Sequence, residues 1–372
     1  TYRGTHPRFT FSVRDTRLGL RIKTEPRPGV TVSGCVELDF FGNQPSDITE
    51  AQTFTSPTMR LRQAFVKIES PYVDVLLGET WQLFGWQPAY FPNSVQVQGL
   101  PGQSFGRSPQ LRLSHTFQSA AVNLEVAVAA ARSPERDSAV PDGHAGIRMV
   151  VNQWKGLRTV NSTGSSIDGL SLGISGALRR IAVPELVESS LVQRAVTGYG
   201  ISFDALIPVI PATEKARGNS LTLNGSFLAG RAISDLLANL TGGVSFPALA
   251  ARADGTTPPA FVSGIDNGLV TYDAAGQLQG VVWQAALVGA QYYLPPSGRV
   301  WISGNYSHVA SSNLASLAPR GIKQSDFADA SVFVDATSNL RFALEYAWFN
   351  QLSVDAVSST NHRAQLGAFY LF

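Results

Sequence analysis

The chain has 372 residues, with 29 Lys and Arg against 27 Asp and Glu, a net charge of +2, and only 15% charged residues. A balance so close to zero, with basic residues scattered along the chain, argues against a nucleic-acid partner. The charged fraction lies well below the roughly 25% usual for soluble domains. No stretch reaches the ~18 uninterrupted apolar residues of a transmembrane helix. Low charge with scattered apolarity suits a wall in which every second strand residue meets lipid.

In chain order, residues 1–7 read as a short leader, without the charged and then apolar segments of a signal peptide. RFTFSV (8–13) alternates, and so does TRLGLRIKT (16–24), where Leu18, Leu20 and Ile22 oppose Arg17, Gly19, Arg21 and Lys23. That period of 2 predicts strands half in apolar surroundings. The breakers Pro26, Pro28 and Gly29 make a turn. Over 30–41, Val30, Val32, Gly34, Val36, Leu38 and Phe40 oppose Thr31, Ser33, Cys35, Glu37, Asp39 and Phe41. In 59–70, Met59, Leu61 and Phe65 oppose Arg60, Arg62 and Ala64; strands follow at 73–81, 110–117 and 122–130. Further strands are predicted at 145–154, 167–182, 194–210, 219–233, 280–294, 299–310, 326–336, 339–351 and 361–372. Together they make about sixteen, an even number as single-chain bacterial barrels have.

Short connections at 24–29, 71–72, 118–120, 295–298 and 337–338 alternate with longer ones at 42–58, 83–109, 132–144, 234–279, 311–325 and 352–360. Segments 155–166 and 211–218 read as medium connections on the short side. Short periplasmic turns and long extracellular loops are the pattern of a membrane barrel. The fold expected is therefore all-β, one transmembrane antiparallel β-barrel domain over 1–372 in the bacterial outer membrane. Trp81, Trp86, Tyr90, Tyr292, Tyr293, Trp348, Phe349 and Tyr370 lie near strand ends, where interfacial girdles are expected. SDLLANL and PELVESSL read as short helices capping extracellular loops.

The 83–109 stretch is rich in Pro, Gly, Gln and aromatics and has no Asp or Glu. A loop this long needs a functional reason. The expectation is that it folds into the lumen and narrows it, while the other long loops stay at the mouth. With lipid-facing parity set by apolarity, Arg17, Arg21, Lys23, Arg60, Arg62 and Arg112 face the lumen, with Glu37 and Asp39 as their acidic partners. The loop adds Arg107, with Gln96, Gln98, Gln103, Asn93 and backbone amides, and no carboxylate that would oppose the basic wall. Unopposed arginines favour anions, as rings of Arg and Lys do in other pores. At 0.15 M salt the Debye length is about 8 Å, so screening across a narrow pore is incomplete.

The lone Cys35 reads as a packed wall residue and allows no intrachain disulfide. His6, His115, His144, His308 and His362 are isolated, without metal-site or nucleophile spacing. No enzyme, metal or cofactor is expected.

TRLGLRIKT, VELDFFG, MRLRQAFVKI, LLGETWQLF and GLPGQSFGRSPQLRLSHTF together resemble the DcaP-type porins of Gram-negative bacteria, over roughly 9–131. Departures from that pattern are read in the 234–279 loop and in the first residues given, where no coiled-coil segment is expected. The resemblance implies a homotrimeric sixteen-stranded porin for small, preferably anionic, organic solutes such as dicarboxylates, set among outer-membrane lipid and lipopolysaccharide. The alternatives are a channel specific for sugars or other neutral solutes, and a structural or plugged barrel that binds a partner. Outward Gly34 and the 42–58 loop are the candidate contacts between subunits.

Overall fold

Alternating sequences need neighbours to take up their backbone hydrogen bonds, and in this chain nearly every alternating segment finds one. The computed structural model describes residues 7–45, 47–95, 99–135, 138–160, 163–238, 240, 246–266 and 268–372. Its strands are β1 (Leu18–Arg27), β2 (Val30–Asp39), β3 (Arg60–Glu69), β4 (Asp74–Trp81), β5 (Arg107–Gln118), β6 (Val122–Ala131), β7 (Asp142–Thr159), β8 (Ser165–Pro184) and β9 (Gln193–Ile210). They continue as β10 (Ser220–Arg231), β11 (Val270–Tyr272), β12 (Leu278–Gly280), β13 (Val282–Tyr293), β14 (Val300–Ser311), β15 (Ile322–Asp335), β16 (Leu340–Ser353) and β17 (Ser358–Tyr370). Two short helices, α1 (Glu50–Thr55) and α2 (Leu314–Leu317), lie in connections.

Fifteen strands form one antiparallel sheet in chain order, from β1 to β10 and on through β13 to β17. β11 and β12 make a separate hairpin inside the β10–β13 connection. The outer face of the sheet is apolar and exposed: Leu20 and Ile22 on β1, Leu172, Ile174 and Leu178 on β8, Ile201 and Phe203 on β9, and Phe342 and Leu344 on β16. The alternate residues, such as Ser175, Arg179, Ser202, Asp204, Ser331 and Glu345, are buried. Apolar outside and polar inside is the reverse of a soluble protein and is the arrangement lipid requires. The chain has the wall of a transmembrane β-barrel.

The sheet wraps around the β4–β5 connection, 82–106, which touches walls on several sides. Gly85 N donates to Ser175 Oγ of β8 at 2.7 Å, and Asn224 Nδ2 of β10 donates to Tyr90 O at 3.3 Å. Asn305 Nδ2 of β14 donates to Asn93 O at 2.7 Å, and Val95 N to Glu345 Oε2 of β16 at 2.7 Å. At the two ends of the sheet, Asp15 and Arg363 feel each other's charge. Burial raises the Asp15 carboxyl, just ahead of β1, while Arg17 and, from β17, Arg363 pull it down.

Five expectations need correction. Residues 8–13 are not a strand: the chain reverses between Val13 O and Thr16 N (3.0 Å), and Phe9, Phe11 and Val13 stand exposed with no neighbouring ladder. Alternation alone does not make a strand without a partner. Segment 155–166 is mostly strand, because a register shift between Val151 and Lys155 lets β7 continue to Thr159. PELVESSL forms no helix, and SDLLANL keeps only a buried 3-10 turn at Ser234–Leu236. Trp81, Trp86, Tyr90 and Tyr293 are buried inside the barrel, so they are packing residues and not a girdle.

The fifth correction concerns the β10–β13 connection, which does not stay at the mouth. Phe105 N donates to Leu236 O at 3.0 Å and Ala238 N to Gln103 O at 2.8 Å, so this connection pairs with the β4–β5 loop. Phe84, Ile233, Leu236, Leu237, Trp283, Val309 and Leu314 form one buried cluster around that contact. Fully burying a Leu, Ile or Phe contributes roughly 1.5–3 kcal/mol. Its base is clamped by Arg179, whose Nη2 lies 2.6 Å from Asp142 Oδ2 and Nη1 2.5 Å from Asp235 Oδ1.

Removing one member of a buried ion group strands the others and costs about 3–5 kcal/mol. Arg179→Ala is therefore expected to lower the urea midpoint of the refolded protein in detergent, followed by the heat-dependent shift of the folded band on gels. An unchanged midpoint would mean that the clamp contributes no stability.

Candidate conduction site at the lumen constriction

The β4–β5 loop holds its shape through its own polar side chains. Gln87 accepts from Gly106 N at 2.8 Å and donates to Phe84 O at 2.9 Å, which stitches the two limbs together. At the base, the Trp81 ring meets Phe91 and Phe105, each at 4.8 Å between centroids. Gly85 has φ +74, and a Cβ there would meet Ser104 Oγ at 2.4 Å, so only glycine lets the limbs close.

Between this loop and the β1–β9 wall lies a cavity of about 710 Å³. Six arginines line it, Arg17, Arg21, Arg62, Arg112, Arg148 and Arg158, against three acids, Glu37, Glu125 and Asp168. The loop contributes Trp86, Gln87, Pro88, Ala89 and Phe91 and no carboxylate.

Each arginine has its own support. The β2–β3 ladder shifts register between Glu37 and Leu38. The extra residue on β3 keeps both Arg60 and Arg62 on the acidic side. Arg62 Nε donates to Glu37 Oε1 at 2.6 Å and Nη1 to Asp39 Oδ2 at 2.7 Å, while Arg60 Nη2 donates to Asp39 Oδ2 at 2.6 Å. Arg112 Nη2 donates to Trp81 O at 2.5 Å and to Gln110 Oε1 at 2.8 Å. Arg148 pairs with Glu125 Oε2 at 2.6 Å and lies 5.6 Å from the Trp86 ring. Arg158 donates to Pro88 O at 3.1 Å and sits 3.3 Å from Asp168 Oδ2. Among the described residues, Arg21, Arg107 and Arg112 have no ion pair with a carboxylate.

Of the residues singled out by sequence, Arg17, Arg21, Arg62, Arg112 and Glu37 come together on the cavity. Asp39 and Arg60 form an ion pair beside Arg62 and do not line the cavity. Arg107 is the first residue of β5 and not part of the loop; it lies 4.9 Å from the Trp81 ring, which Arg62 also approaches at 5.8 Å. Gln103 does not face the cavity: it is buried, and its Oε1 accepts from Leu100 N at 2.9 Å. Asn93 is likewise buried, docking the loop on β14. Gln96 and Gln98 lie outside the described residues. Below the register shift the facing on β3 changes, so Phe65 stands in line with Cys35 and Arg21 while Val66 is exposed outside. Cys35 is a buried wall residue, as expected.

Sequence reasoning missed Arg148 and Arg158. Arg148 alternates with Ile147 and Met149, a usable signal. Arg158 lay in a segment read as a connection. Also missed were Asp329 and Glu345, buried behind the loop.

No family profile matches the chain, and no curated protein matches it. Among solved structures it is similar to the outer membrane channel DcaP of Acinetobacter baumannii, with a TM-score of 0.69 and 16% identity over 97% of this chain and 86% of that one. It is also similar to an anion-selective porin from Comamonas acidovorans, with a TM-score of 0.51 and 11% identity over 97% and 89%. The trimer form of OmpT, an outer membrane protein of Vibrio cholerae, gives a TM-score of 0.51 and 11% identity over 95% and 90%. The fold is that of the outer-membrane porins, and in its architecture the chain resembles the DcaP channel.

If the loop occupies the lumen, replacing 86–105 by a short Gly-Ser connection should raise single-channel conductance. Unchanged conductance would put the loop outside the conducting path.

Proposed function

We propose that the chain is a passive diffusion channel for small hydrophilic solutes with a preference for anions, among them small organic dicarboxylates. The observation that carries this is the cavity lining, six arginines against three acids, with no carboxylate from the loop. Arg21 and Arg112 make no ion pair with a carboxylate among the described residues and are the residues proposed to bind solute carboxylates. A guanidinium keeps its charge at any working pH and matches a carboxylate with its planar fork. Contact must stay weak, because a solute held tightly at one site would block conduction. The anion-selective porin from Comamonas acidovorans shares the fold, which is in keeping with this reading.

Two unit charges 4 Å apart interact by about 1 kcal/mol in water, roughly a fivefold change in local ion population. Arg21→Ala with Arg112→Ala is therefore expected to lower the chloride-to-potassium permeability ratio by about fivefold or more and to weaken block by succinate. An unaltered ratio would assign the field to other charges.

We further propose a homotrimer. Its support is a shallow apolar groove on the outer wall, lined by Leu20, Ile22, Gly34, Val36, Ala64, Val66 and Leu77. The 42–58 connection carries α1, capped by Thr49 and Gln52, and is proposed to latch onto a neighbour. The solved trimer of the Vibrio cholerae protein is consistent with this assembly. Native mass spectrometry in mild detergent should give three copies per particle, and Gly34→Trp should release monomers. A monomeric mass for the unaltered protein would refute the assembly.

A further inference from the structure

At the end of the barrel that carries the short connections, the β7–β8 hairpin does not stop at the wall. Its ladder pairs Val151 with Leu170 and next Lys155 with Gly169, so residues 152–154 are extra on β7. An insertion of this kind bends the strand that carries it. Two glycines occupy the rungs just beyond. A Cβ on Gly169 would meet Val151 O at 2.7 Å, and one on Gly156 would meet Thr222 Oγ1 at 2.5 Å and Pro208 Cβ at 2.6 Å. The close approach at the bend therefore needs both positions bare.

Beyond the bend the hairpin lies across the inner faces of other strands. Pro208 of β9 pairs with Thr222 of β10, which pairs with Gln291 of β13, and all three are buried on the inner side. The hairpin follows this row. Thr222 Oγ1 donates to Leu157 O at 2.9 Å, Thr159 N donates to Gln291 Oε1 at 2.8 Å, and Gln291 Nε2 donates to Thr159 O at 2.9 Å. It ends against β16, where Arg341 Nη1 donates to Thr163 O at 2.5 Å. β16 is six strands from β8 in the sheet order, roughly 29 Å along the wall at ~4.8 Å per strand. A hairpin that meets inward groups on β9, β10, β13 and β16 has to cross the lumen.

Apolar packing and one arginine fix it there. Leu157 is buried in one cluster with Trp301, Phe333 and Val95, the last from the β4–β5 loop. Arg158 Nη2 donates to Pro88 O at 3.1 Å and to Phe91 O at 3.3 Å, while Nη1 lies 3.3 Å from Asp168 Oδ2 on the returning strand. The bent hairpin and the β4–β5 loop, which enter from opposite ends, are thus tied to each other. Val160 and Thr163 line the same cavity as the arginines.

We infer that the bent end of the β7–β8 hairpin, residues 156–168, is a second constriction of the channel. It closes the β9–β16 side of the lumen at the end opposite the β4–β5 loop, and it confines solutes to the arginine-lined β1–β6 side. This rests on the channel reading given above. Size limit and charge preference are then set by two elements in series, and neither depends on the β4–β5 loop alone.

The test compares the unaltered protein in a planar bilayer with a variant in which 156–168 is replaced by Asn-Gly, a two-residue turn that suits the Lys155–Gly169 pair. The replaced segment carries one basic and one acidic residue, Arg158 and Asp168, so the net charge of the lining is kept. The shortened variant should conduct more, admit larger neutral polyethylene glycols, and lose part of its chloride preference. A full-length variant, V160C with C35S, is labelled with a sulfonate-bearing thiol reagent and covers the case in which shortening prevents folding. The label should lower the chloride-to-potassium permeability ratio by about fivefold, the effect of one unit charge ~4 Å away in water. Unchanged conductance and polymer limit on shortening, or an unchanged ratio on complete labelling, would overturn the inference and leave the channel reading standing. Conductance only after shortening would mean that the hairpin closes the pore outright, which supports the inference. No conductance from either protein would refute the channel reading, and the inference with it.

Discussion

Hydrocarbon offers no partner to a backbone N–H or C=O, and the rest of this structure depends on that constraint. It forces the chain into consecutive antiparallel strands and divides every strand into an apolar outer row and a polar inner row. Once the outer row belongs to lipid, charged side chains have nowhere to go but the lumen or the rims. The arginines on the cavity have this origin: charge displaced from the belt.

The lumen is then divided unequally by the β4–β5 loop. Its far side docks on β14 and β16, where Asn305 holds Asn93 O and Glu345 accepts from Val95 N and pairs with Arg363. Glu345 and Asp329 are buried there. Among the described residues, Asp329 and Glu345 hold the loop and its anchor Asn305, and neither lines the cavity. On the near side the basic wall faces aromatic and amide groups. The asymmetry comes from packing: carboxylates serve as anchors on one side, and arginines line the open space on the other.

Strand parity was legible in the sequence because lipid enforces it residue by residue. β2, β6, β8, β9, β13 and β16 fall within a few residues of where alternation puts them, and Glu37 and Asp39 do pair with the β3 arginines. What alternation does not report is a register shift. The extra residue at Arg62 reverses Phe65 and Ala64, and the shift after Val151 hid Arg158. Nor does it report pairing between distant loops: SDLLANL has the pattern of a surface cap, yet Leu236 and Leu237 are buried against the β4–β5 loop. Gln103 shows the same limit, since a polar loop residue can serve the lumen or its own loop, and only the fold says which. RFTFSV had the pattern of a strand but no neighbouring chain to complete it.

The central claim is that the lumen field is positive, and the reversal potential of the unmodified channel tests it most directly. In a planar bilayer with a tenfold KCl gradient, the account requires the sign set by chloride carrying most of the current. A potential of the opposite sign, set by potassium, would contradict it and make the arginine wall a scaffold for the acids of the lumen.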